Sequence, residues 1–142
     1  MNDTFRLHPK LAADTDLVTE GPLSRILLMN DARYPWLILV PRRNDLVDYD
    51  DLTPQERETL GFECAETSKI LKRLFNASKT NVAMLGNMVP QLHCHVVARF
   101  PDDAAWPGPI WGVGQAVSYS EDEANERLAA LRAALISAFR HA

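Results

Sequence analysis

His93 and His95 stand two positions apart in the stretch Gln91-Leu92-His93-Cys94-His95-Val96-Val97. On an extended strand alternate side chains share a face, so the two rings point the same way, with Cα atoms ~6.5–7 Å apart. Two imidazoles at that spacing can reach one small group together, such as a phosphate. A neutral imidazole nitrogen is a competent nucleophile near pH 7. Its neighbour can donate a proton or hold a phosphoryl oxygen. A histidine nucleophile needs one ring nitrogen free and the other fixed as N–H; a backbone carbonyl near the preceding turn or a polar side chain is the expected partner. Zinc is the competing use of such a pair. Zinc prefers four ligands, Cys94 falls on the opposite face, and no third ligand is evident nearby. No bound metal and no required cofactor is therefore expected. A His-x-His pair alone is weak evidence, so the surrounding pattern has to carry the assignment.

Residues 91–99 read as a strand that alternates. Gln91, His93, His95 and Val97 share one face, and Leu92, Cys94, Val96 and Ala98 share the other. The apolar set is expected on the core and the polar set on the opposite, accessible side. Upstream, residues 7–19 are expected to hold a short helix leading into the first sheet strand. Gly21-Pro22 marks a turn. The apolar runs at 24–30 and 36–40, joined by Asp31-Ala32-Arg33-Tyr34-Pro35, read as an antiparallel pair. Thr53-Pro54-Gln55-Glu56 is a helix start with an N-cap, a proline at the first position and a capping box. Leu60, Cys64, Thr67, Leu71 and Leu74 continue it at helical spacing, Lys72 and Arg73 oppose the dipole in the last turn, and Asn76 is the expected C-terminal cap. Residues 81–85 form a further strand, and Gly86-Asn87-Met88 a turn before the histidines.

Residues 101–119 carry Pro101, Pro107 and Pro109 together with Trp106 and Trp111. Proline at that density resists regular structure, so an ordered aromatic loop is expected, its tryptophans packing under the loop, contacting a partner subunit or lining the site, with packing favoured. Ser120-Glu121-Asp122-Glu123 is a second capping box, and Leu128, Leu131, Leu135 and Phe139 follow it at helical spacing. His8 and His141 lie near the termini and are not expected in the chemistry.

The chain has 142 residues, 46% of them hydrophobic and 24% charged, which fits one domain with a sizeable core and excludes a disordered reading. A net charge of −4 lacks the basic field of a nucleic-acid binder, while a local site can still attract an anion. Cys64 and Cys94 sit in apolar contexts without a CxxC pair, which suits a reducing compartment. The first residues lack a signal-peptide layout, and no apolar run approaches the ~20 residues needed to span a bilayer. A cytoplasmic protein with no membrane partner is expected.

The stretch from Gln91 to Val97 resembles the motif of the histidine triad (HIT) family, His-x-His-x-His-x-x with apolar x, its first histidine replaced by Gln91. The resemblance runs over roughly residues 5–112. Leu28-Met29-Asn30-Asp31, Tyr34-Pro35 and Leu37-Ile38-Leu39-Val40-Pro41-Arg42 look like the family's opening hairpin, in which an asparagine at the place of Asn30 contacts ribose. The capped helix matches in place and length. Gly86-Asn87-Met88-Val89 resembles the family's Gly-Gln-Ser/Thr-Val turn, with Met88 in place of the hydroxyl residue that helps the leaving group. Trp106-Pro107 resembles an aromatic segment found in one branch.

The resemblance implies an α+β fold: an antiparallel sheet of about five strands, a central helix on one face and an additional C-terminal helix. Residues 1–112 form the HIT-like part and 113–142 an extension expected in the same globular unit. It implies a nucleotide or nucleotide conjugate as ligand, and a homodimer built on the 53–76 helix and neighbouring strands. His93 is the implied nucleophile on the α-phosphorus. His95 would hold a phosphoryl oxygen or the leaving group, Gln91 would support, and Asn30, Gly86, Asn87 and Met88 would line the nucleotide site. A hydrolase of nucleoside phosphoramidates or dinucleoside polyphosphates is the leading expectation. A nucleotidyltransferase and a purine-nucleotide-binding module with little turnover remain the alternatives.

Overall fold

The computed structural model describes residues 4–140; Met1–Asp3 at the start, His141 and Ala142 lie outside the described residues. The elements follow as α1 (Pro9–Asp14), β1 (Thr15–Glu20), β2 (Ser24–Met29), β3 (Trp36–Pro41), α2 (Pro54–Phe75), β4 (Lys79–Ala83), β5 (Cys94–Arg99) and α3 (Glu121–Arg140). The five strands form one antiparallel sheet in the order β1-β2-β3-β5-β4.

The long helix α2 begins and ends where local chemistry directs. Thr53 Oγ1 accepts from the Glu56 N–H at 3.1 Å, and the Glu56 carboxylate accepts from the Thr53 N–H at 2.8 Å. Pro54 takes the first helical position, where its missing N–H costs nothing. At the other end Asn76 adopts the left-handed conformation, with φ 53° and ψ 43°. The helix is fastened to the sheet by Glu63, which is fully buried. One carboxylate oxygen accepts from the N–H groups of Leu23 and Ser24, at 2.9 and 2.8 Å, and the other from the Ser24 hydroxyl at 2.7 Å. A buried carboxylate is tolerable only with such partners. The tight Gly21 turn makes room for it, since a Cβ on Gly21 would run into the Glu63 carboxylate.

Two apolar clusters flank the sheet. The first lies between the sheet and the helices and includes Leu92, Cys94, Val96 and Ala98 of the β5 stretch, Leu60, Ile70 and Leu71 of α2, and Leu128, Leu131 and Leu135 of α3. At about 1.5–3 kcal/mol for each fully buried large aliphatic side chain, this cluster is the main stabilising layer. The C-terminal helix is therefore built into the core, against α2 and β1. Its start is the expected box: Glu123 N–H donates to Ser120 Oγ at 3.2 Å, and Ser120 Oγ donates back to the Glu123 carboxylate at 2.9 Å. The second cluster, on the opposite face, holds Leu11, Leu27, Tyr34, Trp36, Ile38, Val40, Val89, Val97 and Ile110.

The short helix expected within 7–19 forms at Pro9–Asp14 and runs into a strand; Thr15, Val18 and Thr19 favour strand, and Thr15–Glu20 pairs with β2 as the sheet edge. Three expectations shift. The strand expected at 81–85 is Lys79–Ala83, because Lys79 and Thr80 find partners in Arg99 and Ala98. The histidine strand is Cys94–Arg99 rather than 91–99, so Gln91, Leu92 and His93 enter it from an irregular segment. The polar face is not open: His93 and His95 are 6% and 5% exposed, His95 against Trp36 and Trp111 and His93 in a cleft beside the Val47–Asp50 segment. No helix among the described residues is long and apolar enough to cross a membrane.

Candidate active site

The strand register fixes His95. It pairs with Ile38 of β3 on one side and Ala83 of β4 on the other. Its side chain emerges on the second-cluster face, beside Trp36, whose direct cross-strand partner is Val97. A diagonal neighbour on one face of an antiparallel pair lies within reach of a long aromatic side chain. The Trp36 indole N–H uses this, donating to His95 Nδ1 at 2.9 Å. An indole nitrogen has no lone pair to offer, so His95 carries its proton on Nε2. Burial pushes the His95 pKa down to about 3, with the neighbouring His93 adding to the effect, and the ring is neutral at physiological pH.

His93 is fixed by the reverse contact. Its Nδ1 lies 2.7 Å from the Gln91 carbonyl oxygen. A carbonyl can only accept, so Nδ1 carries a proton, and in the neutral ring it is Nε2 that holds the lone pair. The two rings sit edge to face with centroids 4.9 Å apart. His93 lines a cleft of about 290 Å3 between the Val47–Asp50 segment and the Met84–Gly86 turn. Gly86 shapes that turn: its φ of +71° is a conformation that side chains rarely adopt.

The remaining expected site residues divide. Gln91 does not aim its amide at the pair. Its Oε1 accepts from the His8 N–H at 2.8 Å and its Nε2 donates to the Arg6 carbonyl at 2.9 Å, so the side chain ties the N-terminal segment to the histidine strand. Gly86 lies in the cleft with His93, whereas Asn87 and Met88 are exposed, Met88 at 85%, and neither is among the residues that line it. Asn30 lines a separate cavity of about 470 Å3 behind Trp36 and Trp111. Its Oδ1 accepts from the Tyr119 N–H at 2.9 Å. Beside it, Asp31 accepts from the N–H of Val117 and from Arg33, so Asn30 and Asp31 strap the 113–119 segment across this end of the sheet.

Sequence reasoning placed Trp36 only as a strand residue and, for Trp111, favoured packing over a partner contact or a place in the site. Both touch His95: the Trp111 ring lies edge-on at 5.3 Å from it and at 6.4 Å from Trp36. The Trp111 indole N–H is buried without a hydrogen-bond partner among the described residues. Trp36 has the parity of the histidine face only once the β3–β5 register is known, and Trp111 sits in a loop whose path no periodicity reveals. Trp111 is carried there by a buried ion pair. Arg99 donates to Asp103 at 2.8 Å, to Asn81 at 2.6 Å and to the Gly108 carbonyl at 2.7 Å, pinning the 100–108 loop. Burial pushes the Asp103 carboxyl up, but Arg99 and the N–H groups of Phe100, Trp106 and Ala105 outweigh it and hold its pKa at about 2. Among the described residues no group of three or more His, Cys, Asp or Glu is placed to hold a metal ion.

A five-stranded antiparallel sheet with a helix packed on one face, presenting two adjacent imidazoles beside a glycine turn, defines a class of protein rather than a single activity. The family model for the HIT domain matches residues 10–102, and the chain belongs to the histidine triad family. Solved structures agree along nearly the whole length. A histidine triad protein from Bradyrhizobium japonicum is 43% identical, with a TM-score of 0.91, over 94% of this chain and 99% of its own. One from Marinobacter aquaeolei VT8 is 43% identical, with a TM-score of 0.92, over 95% and 98%. One from Sinorhizobium meliloti 1021 is 42% identical, with a TM-score of 0.88, over 90% and 95%. Among curated proteins nothing matches. Membership of the family suggests nucleotide-binding hydrolase or transferase activity.

Proposed function

We propose that the protein is a nucleotide hydrolase that cleaves at the α-phosphate through a covalent nucleotidyl-histidine on His93. The observation that carries this reading is the opposite fixing of the two rings. The Gln91 carbonyl holds His93 Nδ1–H and leaves the Nε2 lone pair for attack, while His95 presents Nε2–H. In the first step His93 Nε2 forms a bond to the α-phosphorus and the bond to the leaving group breaks, its electron pair leaving with the departing group, which takes a proton from solvent. In the second, water attacks the same phosphorus, the N–P bond breaks, and a nucleoside monophosphate is released. In-line phosphoryl chemistry needs charge stabilisation and positioning more than elaborate covalent machinery. His95 Nε2–H supplies one donor to a phosphoryl oxygen, and the N–H groups of the Gly86–Val89 turn supply others. Gln91, at the first triad position, supports through its backbone carbonyl and through its hold on the N-terminal segment.

Nucleoside phosphoramidates and dinucleoside polyphosphates are the substrate types proposed. Asn30 is assigned to the ribose, and Asn87 and Met88 to the rim of the nucleotide site. No metal or cofactor enters the reaction. A homodimer is proposed: β4 is the outer strand of the sheet, and Val82, Met84 and Leu85 on and after it are exposed apolar residues. The compartment proposed is the cytoplasm, from the free thiols of Cys64 and Cys94.

The test is acid-quench mass spectrometry with an adenosine phosphoramidate. A mass gain of one AMP on the peptide containing His93 is expected, and His93→Ala should abolish it and lower kcat at least ~10³-fold. Turnover that survives His93→Ala would remove the nucleophile assignment. Tight nucleotide binding without release of monophosphate would make the protein a binding module, a reading favoured by the solvent-exposed thioether of Met88, which has no proton to offer a leaving group.

A further inference from the structure

His93 and His95 are chemically identical residues, yet their surroundings give them opposite hydrogen-bonding character. His93 meets a carbonyl, which only accepts; His95 meets an indole N–H, which only donates. We propose that Trp36 is a positioning residue for the reaction: its indole N–H locks His95 as the neutral tautomer that donates from Nε2, so that His95 serves as a fixed hydrogen-bond donor and not as an imidazolium acid. The proposal rests on the reading of the pair as a phosphoryl-transfer site.

The geometry is over-determined. Trp36 is 9% exposed and His95 5%, so water does not compete for the 2.9 Å bond between them. The two rings are tilted at 47° with centroids 5.7 Å apart, and Trp111 braces both from the edge. Rotating the His95 ring to present Nδ1 to the site would strand the Trp36 N–H in an apolar cluster. Adding a proton to Nδ1 would set N–H against N–H where no acceptor waits. Either change leaves a buried donor unsatisfied.

The groups packed around His95 offer no rescue for a positive charge. Ile38 and Ala83, on the strands to either side, carry none. Trp36 and Trp111 are neutral. His93 is the titratable group that acts on the ring, and it disfavours protonation. Lys10, Asp14, Asp31 and Arg33 line the cavity beyond the tryptophans. The proton that the leaving group takes therefore comes from elsewhere than a His95 imidazolium, and the acid side of the rate profile lacks a His95 limb.

Long-range 1H–15N correlation spectra of the histidine rings in the free full-length protein test this directly. The wild-type spectrum should show His95 as the Nε2–H tautomer, unchanged from pH 8 to pH 5. Trp36→Phe keeps an aromatic ring and removes the N–H. In that variant His95 should show mixed tautomers and begin to titrate toward its ordinary range. Its kcat/KM on adenosine phosphoramidate at pH 7 should fall roughly 10–100-fold, the scale on which losing a partner that orients an imidazole acts. Most of the loss should lie in kcat, and the pH profile should gain an acid limb. An Nδ1–H tautomer in the wild type overturns the proposal even if the variant fails to fold. So does a folded Trp36→Phe whose His95 tautomer, titration and rate profile match the wild type. A wild type with the expected tautomer but no turnover would instead count against the hydrolase reading and leave the Trp36–His95 lock standing.

Discussion

The two faces of the sheet are closed by different means. On one, Leu92, Cys94, Val96 and Ala98 meet two long amphipathic helices, whose apolar residues recur at helical spacing. On the other, His95 and Val97 lie under a short helix, the Val89 turn and the proline- and tryptophan-rich loop that carries Ile110 and Trp111, with His93 in the cleft beside the Val47–Asp50 segment. Regular cover satisfies its own backbone and meets β5 with side-chain hydrocarbon, its buried Glu63 carboxylate being spent on Leu23 and Ser24. Irregular cover brings carbonyls and indole N–H groups to fixed places, and these set the ring tautomers. The helical face supplies most of the stability; the loop-covered face is where polar valence is left over for a ligand.

Breaking the loop cover should cost most. Arg99→Ala leaves the Asp103 carboxylate buried without its cation, and removal of one partner of such a pair costs about 3–5 kcal/mol. Urea denaturation should read that loss, and tryptophan fluorescence should shift as Trp106 and Trp111 loosen. A loss below 1 kcal/mol would mean that the loop is held by apolar packing instead.

Breaking the helical face should cost slightly less and act differently. Leu131 is fully buried between the helices and the sheet. Leu131→Ala should lower stability by about 2–5 kcal/mol, yet leave kcat per folded molecule unchanged at a temperature well below the transition. A fall in kcat in parallel with stability would erase the division of labour between the faces.

The smallest effect is a pH dependence confined to the histidine face. The folded-state pKa of His95 is about 3, below its ordinary 6.5, so between those values the unfolded chain binds the proton and the folded one does not. The stabilisation is fully present above pH 6.5 and is lost as pH falls toward 3, at up to about 1.4 kcal/mol per pH unit. Glu56 and Asp103, held near 2, begin to contribute only below their ordinary 4.5 and 3.8. Urea midpoints compared at pH 7, 6 and 5 should therefore fall in the wild type and flatten in His95→Gln. An unchanged slope in the variant would place the proton uptake elsewhere.

Much of this was legible in the sequence. Thr53, Pro54 and Glu56 start α2 by bonds made within one turn, and Ser120 with Glu123 starts α3 likewise, so these boundaries are local properties. The alternation from Leu92 to Ala98 separated the two sides of β5, and the spacing of His93 and His95 marked the pair proposed for the chemistry. Other features depended on register and chain path. Thr15, Val18 and Thr19 favour strand, but that residues 15–20 pair along the open edge of β2 as β1 is a matter of chain path, which propensity alone does not specify. Gln91 looked like a third member of the reactive group, but its amide is claimed by the backbone of Arg6 and His8, more than eighty residues away in sequence. The side expected to be open to water was closed by Trp36 and Trp111, brought to His95 by strand register and by the Arg99–Asp103 loop. Sequence by itself determined the helices, the strand parity and the identity of the two histidines, because each rests on neighbours within a few residues. Only the tertiary structure decided which ring nitrogen of each histidine faces the site, because the carbonyl and the indole that fix them reach the pair through folded geometry: a turn for His93, a neighbouring strand for His95.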